Sequence, residues 1–207
     1  MRAIPILCFC IFVRYLTKRQ LFKLDDNKTK AIQDGNRKAI LELYRNTFQL
    51  LMGNAVRYTN DQEKQMQIVN NTFLKIITNI AKFEIGTAYF SWAKQIVHRV
   101  IIDDFRSSKR YNELFLLVDE YNDNHLVDNN EQDVDCFEEG ELQQILDKLP
   151  PATKMVFNLY AIDEYSYNDI MEELNITYET VKWHLKESRK KLRVEIKENK
   201  IIQKVNG

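Results

Sequence analysis

Two clusters of side chains carry residue types suited to binding nucleic acid. In the first, Tyr178, Glu179, Thr180, Lys182, Trp183, Lys186 and Arg189 lie off the apolar stripe Val181, Leu185, Ser188 and Leu192. A helix with such a free face suits the major groove of duplex DNA. Lys182 and Lys186 would contact phosphates, Thr180 a phosphate or a base edge, and Arg189 either one. In the second, Phe83, Tyr89, Phe90 and Trp92 gather around Gly86 and are followed by Lys94, His98, Arg99, Arg106, Lys109 and Arg110. Rings beside a basic track suit single-stranded DNA, because bases stack on the rings while phosphates follow the charge. Trp92 is the candidate stacker, since its spacing sets it off the apolar stripe of its own segment.

Catalytic chemistry has little support. His98, His125 and His184 are widely spaced, and the sequence has neither a Gly-rich phosphate loop nor Cys/His metal spacing, so no catalytic residue, metal or cofactor is expected. Cys8, Cys10 and Cys136 form no disulfide framework and fit a reduced, cytoplasmic compartment. The net charge of zero conceals segments of opposite character. Residues 1–110 hold 19 Lys/Arg against 9 Asp/Glu, residues 111–147 none against 12, and residues 148–207 hold 11 against 9.

The elements that position the clusters follow from periodicity. Ile40, Leu43, Tyr44, Leu51, Ala55 and Tyr58 predict one amphipathic helix; Met66, Val69, Phe73, Ile77 and Ile80 a second; Phe90, Ala93, Val97, Val100 and Ile101 a third. With a shorter helix before Gly35 they can share a core as a bundle. Farther on, Leu142, Ile145, Leu146 and Leu149 predict a helix that Pro150-Pro151 ends, and Met155, Val156, Leu159 and Tyr160 the next. Ser166 and Asp169 stand at capping-box spacing, Ile170 and Leu174 supply a buried edge, Asn175 can take the left-handed conformation that ends a helix, and Thr177 can cap its successor. Two helices joined by so short a turn predict a helix-turn-helix.

The fold class expected is therefore all-α, with two small helical domains. Residues 1–22 read as an apolar extension and a candidate start-site artefact: Ala3 to Val13 is too short to span a bilayer, and no small-residue cleavage site follows it. Residues 23–110 read as the first bundle, 111–139 as an acidic flexible linker, 140–196 as the helix-turn-helix domain, and 197–207 as a basic tail. No stable membrane insertion is expected.

Several short stretches resemble a known family. Val69-Asn70-Asn71-Thr72-Phe73-Leu74-Lys75, Lys82-Phe83, Phe90-Ser91-Trp92-Ala93 and Ile102-Asp103-Asp104-Phe105-Arg106 are similar to region 2 of the sigma-70 family, extracytoplasmic-function branch. Leu149-Pro150, Val156-Phe157-Asn158-Leu159, Ser166-Tyr167-Asn168-Asp169-Ile170, Thr180-Val181-Lys182 and Lys190-Lys191-Leu192-Arg193 are similar to region 4 of that branch. The resemblance covers about Ile32 to Arg193, in the family's order. It implies an alternative sigma factor that carries core RNA polymerase to promoter DNA and assists melting. Met66, Gln67, Asn70, Asn71, Phe73 and Lys75 would dock on the polymerase clamp, and the aromatic-basic cluster would hold the melted downstream element. The recognition helix would read the upstream element as duplex, and the acidic linker would thread a basic polymerase channel. An anti-sigma factor is the implied regulator.

The sequence departs from the family pattern in both regions. Met66, Gln67, Asn70 and Asn71 stand where members usually carry acidic residues and a Gln, so charge pairing with polymerase is expected to be weaker. Arg99 replaces a frequent Asn, and Trp183 and Glu187 stand where small or basic residues are common, so an unusual promoter preference is expected. Two other readings fit the residues: a helix-turn-helix regulator acting independently of core polymerase, which would bind duplex DNA alone, and a sigma-like interaction protein without promoter function.

Overall fold

The computed structural model describes residues 24–108, 111 and 139–206, with side chains from 143 to 195 in the last stretch. Expectations that fall on residues 1–22, on 112–138, and on Lys109 and Arg110 lie outside the described residues. Every element among those described is helical, and none of the helices is long and apolar enough to cross a membrane. The chain divides into two compact units, one ending at Asp104 and the other beginning at Phe105.

The first unit contains α1 (Asp26–Gln33), α2 (Arg37–Tyr58), α3 (Gln62–Thr78) and most of α4 (Tyr89–Ser107), with a 3₁₀ turn at Ile80–Lys82. Short polar side chains set the first three starts. Asp25 accepts from the Lys28 amide, Asn36 from the Lys38 and Ala39 amides, and Asp61 from the Glu63 and Lys64 amides. Each cap satisfies amide donors that the helix leaves free. Gly35, at φ +75°, turns the chain between α1 and α2. The core comprises Leu43, Leu50, Leu51 and Ala55 of α2, Ile68, Val69 and Ile76 of α3, and Ala93, Val97, Val100, Ile101 and Ile102 of α4.

The buried stripe of α3 differs from the one that apolar spacing predicts. Ile68, Thr72 and Ile76, beside Val69, face the core; Met66 is exposed, while Phe73 and Ile77 are half-buried. Thr72 explains the rotation. Its hydroxyl donates to the Ile68 carbonyl at 2.6 Å, so a nominally polar side chain is buried with its donor satisfied. Thr47 of α2 does the same with the Leu43 carbonyl at 2.7 Å. On α2, Ile40, Tyr44 and Tyr58 are likewise half-buried members of the predicted stripe.

The second unit contains α5 (Glu139–Asp147), α6 (Pro151–Phe157) continued by a π turn (Asn158–Ile162), α7 (Tyr167–Leu174) and α8 (Tyr178–Asn206). Pro151 occupies the first turn of α6, where its missing N–H costs nothing. The capping box of α7 forms in both directions: the Asp169 amide donates to the Ser166 hydroxyl at 3.1 Å, and the Ser166 amide to the Asp169 carboxylate at 2.8 Å. Asn175 ends α7 in the left-handed conformation, φ 50° and ψ 50°. The Thr177 hydroxyl then accepts the Thr180 amide at 3.2 Å at the start of α8. The caps and turn expected of the helix-turn-helix form at the predicted residues. The backbone of α8 stays helical to Asn206, through the segment expected as a tail. Leu192, predicted to lie in the buried stripe, is only half-buried.

Candidate nucleic-acid interfaces

In the first unit, three of the residues predicted to contact single-stranded DNA belong to the core: Phe83 is 5% exposed, Tyr89 4% and His98 4%. The reason in each case is a packing or hydrogen-bond partner, which for Tyr89 and His98 is distant in sequence. Tyr89 O–H lies 2.8 Å from the Thr47 hydroxyl, which ties α4 to α2. Burial pushes the Tyr89 hydroxyl well above the ordinary tyrosine range, with the Thr47 bond working against it. Asn54 donates its amide to the Leu50 carbonyl at 2.7 Å, which turns its oxygen toward His98 Nε2 at 3.1 Å. His98 Nε2 is therefore the donor, and His98 fastens α4 to α2. Phe83 packs its ring against Tyr89 at 5.8 Å and Trp92 at 5.3 Å.

That buried pair supports the rings that reach the surface. Trp92 and Phe90 are half-buried; Trp92 rests on Phe83 and Tyr89, and Phe90 lies 5.4 Å from the Tyr89 ring. Along α4, Arg99 and Arg106 follow Trp92 at seven-residue intervals, so the three share one helical face, and both arginines are exposed. Lys94 is half-buried. Gly86, at φ +94°, shapes the loop that leads into α4. The surface has an aromatic end and a basic track, as single-strand binding requires.

The face of α3 assigned to polymerase docking is largely open. Met66, Gln67, Asn70, Asn71 and Lys75 are exposed, and Leu74 joins them at 61% exposure. Phe73 is half-buried, its ring edge-on to Tyr44 at 4.9 Å. Lys75 faces Asp103 at 3.4 Å, and Lys64 faces Asp104 at 2.9 Å, which brings both acids of the Asp103-Asp104 pair to α3.

In the second unit, Tyr178, Glu179, Lys182, Lys186 and Arg189 of α8 are exposed. Tyr178, Lys182, Lys186 and Arg189 follow at steps of four, four and three, which places a ring and three cations on one face. Val181, His184, Leu185 and Ser188 face inward. Thr180 does not join the outer face: it is 5% exposed, and its hydroxyl and amide both meet the Thr177 hydroxyl, so the helix cap consumes the groups expected to reach DNA. Trp183 is half-buried, edge-on to His184 at 4.8 Å.

The support beneath α8 was not legible as apolar periodicity. His184 is fully buried, its Nδ1 3.0 Å from the Thr153 hydroxyl on α6. Lys154, also buried, reaches Asp147 of α5 at 2.6 Å, and Gln143 donates to the same carboxylate at 2.7 Å. Lys148, in the turn just after α5, pairs with Glu195 of α8.

Residues 43–111 match the family model for sigma-70 region 2, and residues 139–192 match that for sigma-70, region 4. Together they take in more than half of the 207 residues. The chain is 26% identical over 159 residues to the RNA polymerase sigma factor YlaC of Bacillus subtilis, covering 76% of this chain and 92% of that protein. It is 25% identical over 141 residues to the ECF RNA polymerase sigma factor SigE of Mycolicibacterium smegmatis, covering 67% of this chain and 54% of that protein, about half the relative's length. Among solved structures, the sigma factor RpoE in complex with the anti-sigma factor NepR from Bartonella quintana aligns at 18% identity and a TM-score of 0.44, covering 75% of this chain and 97% of that one. CnrH in complex with the cytosolic domain of CnrY aligns at 17% identity and a TM-score of 0.41, covering 81% of this chain and 93% of that one.

A helical unit of the region 2 type followed by a helix-turn-helix of the region 4 type defines a class of transcription initiation factor. The chain belongs to the sigma-70 family of RNA polymerase sigma factors, in its extracytoplasmic-function branch.

Proposed function

We propose that this alternative sigma factor divides promoter recognition between two surfaces. The observation that carries the reading is the presence, in one chain and in family order, of the region 2 and region 4 units, each with its cations on an exposed helix face. Lys182, Lys186 and Arg189 of α8 contact the upstream element as duplex, the lysines through phosphates. Trp92 and Phe90, with Arg99 and Arg106 beyond, capture unpaired bases of the downstream element. Stacking is worth about 1–3 kcal/mol per base and offsets the unstacking cost of opening.

The α3 face from Met66 to Lys75 docks on core polymerase. Its amides and exposed Met66 and Leu74 favour a contact dominated by packing and hydrogen bonds over charge pairing. The acidic linker, with its ten carboxylates and no Lys or Arg, suits a basic channel of the polymerase. All bond-making stays with the polymerase, so the chain works where core enzyme works, in the cytoplasm. Family membership proposes an anti-sigma factor as its regulator.

Transcription of genomic DNA by sigma-free core polymerase, with and without the purified chain, tests this reading when the new RNA ends are mapped. A small set of discrete starts sharing paired upstream elements is expected. Absence of new starts from a folded preparation contradicts it, and duplex binding without polymerase would then favour an independent helix-turn-helix regulator.

A further inference from the structure

Three tyrosines form a continuous edge across the helix-turn-helix. Tyr160 sits in the π turn after α6, Tyr167 is the first residue of α7, and Tyr178 is the first residue of α8. The Tyr160 and Tyr167 rings meet edge to face at 5.2 Å; those of Tyr167 and Tyr178 lie 5.3 Å apart at 32°. Tyr160 and Tyr167 are half-buried, while Tyr178 remains 48% exposed. One side of the Tyr178 ring is thus braced while much of the rest stays open. Burial raises the Tyr167 hydroxyl above its ordinary range, as does neighbouring Tyr160, while Arg189 works in the opposite direction. Tyr167 therefore stays protonated at neutral pH beside the Arg189 guanidinium.

The position of Tyr178 gives this edge a use. The first residues of a recognition helix are the ones that meet base edges. A braced, mainly apolar ring there needs an apolar feature to read, and in the major groove that feature is the C5-methyl of thymine. We propose that Tyr178 reads a thymine methyl in the upstream element and that Tyr167, backed by Tyr160, is the positioning residue that holds its ring in place. The inference rests on the proposed entry of α8 into the upstream duplex and adds the group it reads.

The test is equilibrium binding of the full chain, assembled with core polymerase, to a promoter obtained from the mapped starts. Each upstream thymine is replaced singly by deoxyuridine, which removes only the methyl. One replacement is expected to weaken wild-type binding about fourfold, the effect of one buried methyl, and to leave Tyr178→Ala binding unchanged. Tyr167→Leu is expected to bring the thymine-to-uracil ratio near one, whereas Tyr167→Phe keeps the ring contact and the ratio. A footprint on the upstream element with no sensitivity to any uracil overturns the methyl reading alone. A fourfold ratio that survives Tyr178→Ala or Tyr167→Leu overturns the tyrosine assignment. Failure of the wild-type complex to protect the upstream element overturns the entry of α8 into the duplex, and this inference with it.

Discussion

The two units use local and long-range bonds differently in building their binding surfaces. In the helix-turn-helix, the bonds that start the two helices span three residues: Ser166 with Asp169 in both directions, and Thr177 with Thr180. The longer ties, Thr153 to His184 over 31 residues and Lys148 to Glu195 over 47, lie beneath α8. In the first unit, the corresponding ties reach 42 residues from Thr47 to Tyr89 and 44 from Asn54 to His98. Local bonds leave the outer face of α8 free to carry function. Long-range bonds and ring packing draw Phe83, Tyr89 and His98 of the aromatic-basic cluster inward, where the two rings become the support for Trp92 and Phe90. An aromatic-basic stretch in sequence thus mixes platform with foundation, and tertiary packing sorts them.

The sharpest way to break this contrast is Phe83→Ala. As a core ring under Trp92, Phe83 should cost about 3–5 kcal/mol of stability when truncated, read from urea unfolding monitored by circular dichroism. Wild-type stability combined with weaker single-strand binding would return Phe83 to the surface role that its sequence context suggests. Tyr89→Phe should be milder, about 1 kcal/mol for one neutral hydrogen bond, because Thr47 keeps its bond to the Leu43 carbonyl. Its promoter-opening rate should match wild type at a temperature where both are folded; a slowed rate would mean that the hydroxyl serves DNA.

The smallest expected effect concerns pH in the second unit. The Ser166 hydroxyl, then its amide, hold the Asp169 carboxyl below its ordinary value of 3.8. A depressed folded pKa means that this contribution is complete above the unfolded value and is lost as pH falls through the folded one. Asp169→Asn should therefore flatten the acid side of the stability profile below about pH 4. An unchanged slope in acid titrations would show that the capping box contributes nothing through its charge.

What was legible in the sequence follows the same division. The capping box, the left-handed Asn175, the Thr177 cap and the Pro150-Pro151 break were readable because each acts within a few residues. The helices of the first unit were readable as well, but the rotation of α3 was not: Thr72 counts as polar in a pattern yet buries itself by bonding its own helix. Thr180 misled in the opposite sense, since a threonine on a recognition helix looks available until Thr177 is seen to occupy it. The pairs His184 with Thr153 and Lys154 with Asp147 left no periodic signal, because polar residues in a core are defined only by their partners.

The most direct test of the division of labour compares Trp92→Ala and Lys182→Ala in complex with core polymerase, on fully paired promoter DNA and on the same promoter with a mismatched bubble over the downstream element. Both variants should open paired DNA more slowly than wild type. The bubble supplies unpaired bases in advance, so it should largely rescue Trp92→Ala and leave Lys182→Ala defective. Equal rescue of both, or of neither, would contradict the assignment of melting to α4 and duplex recognition to α8.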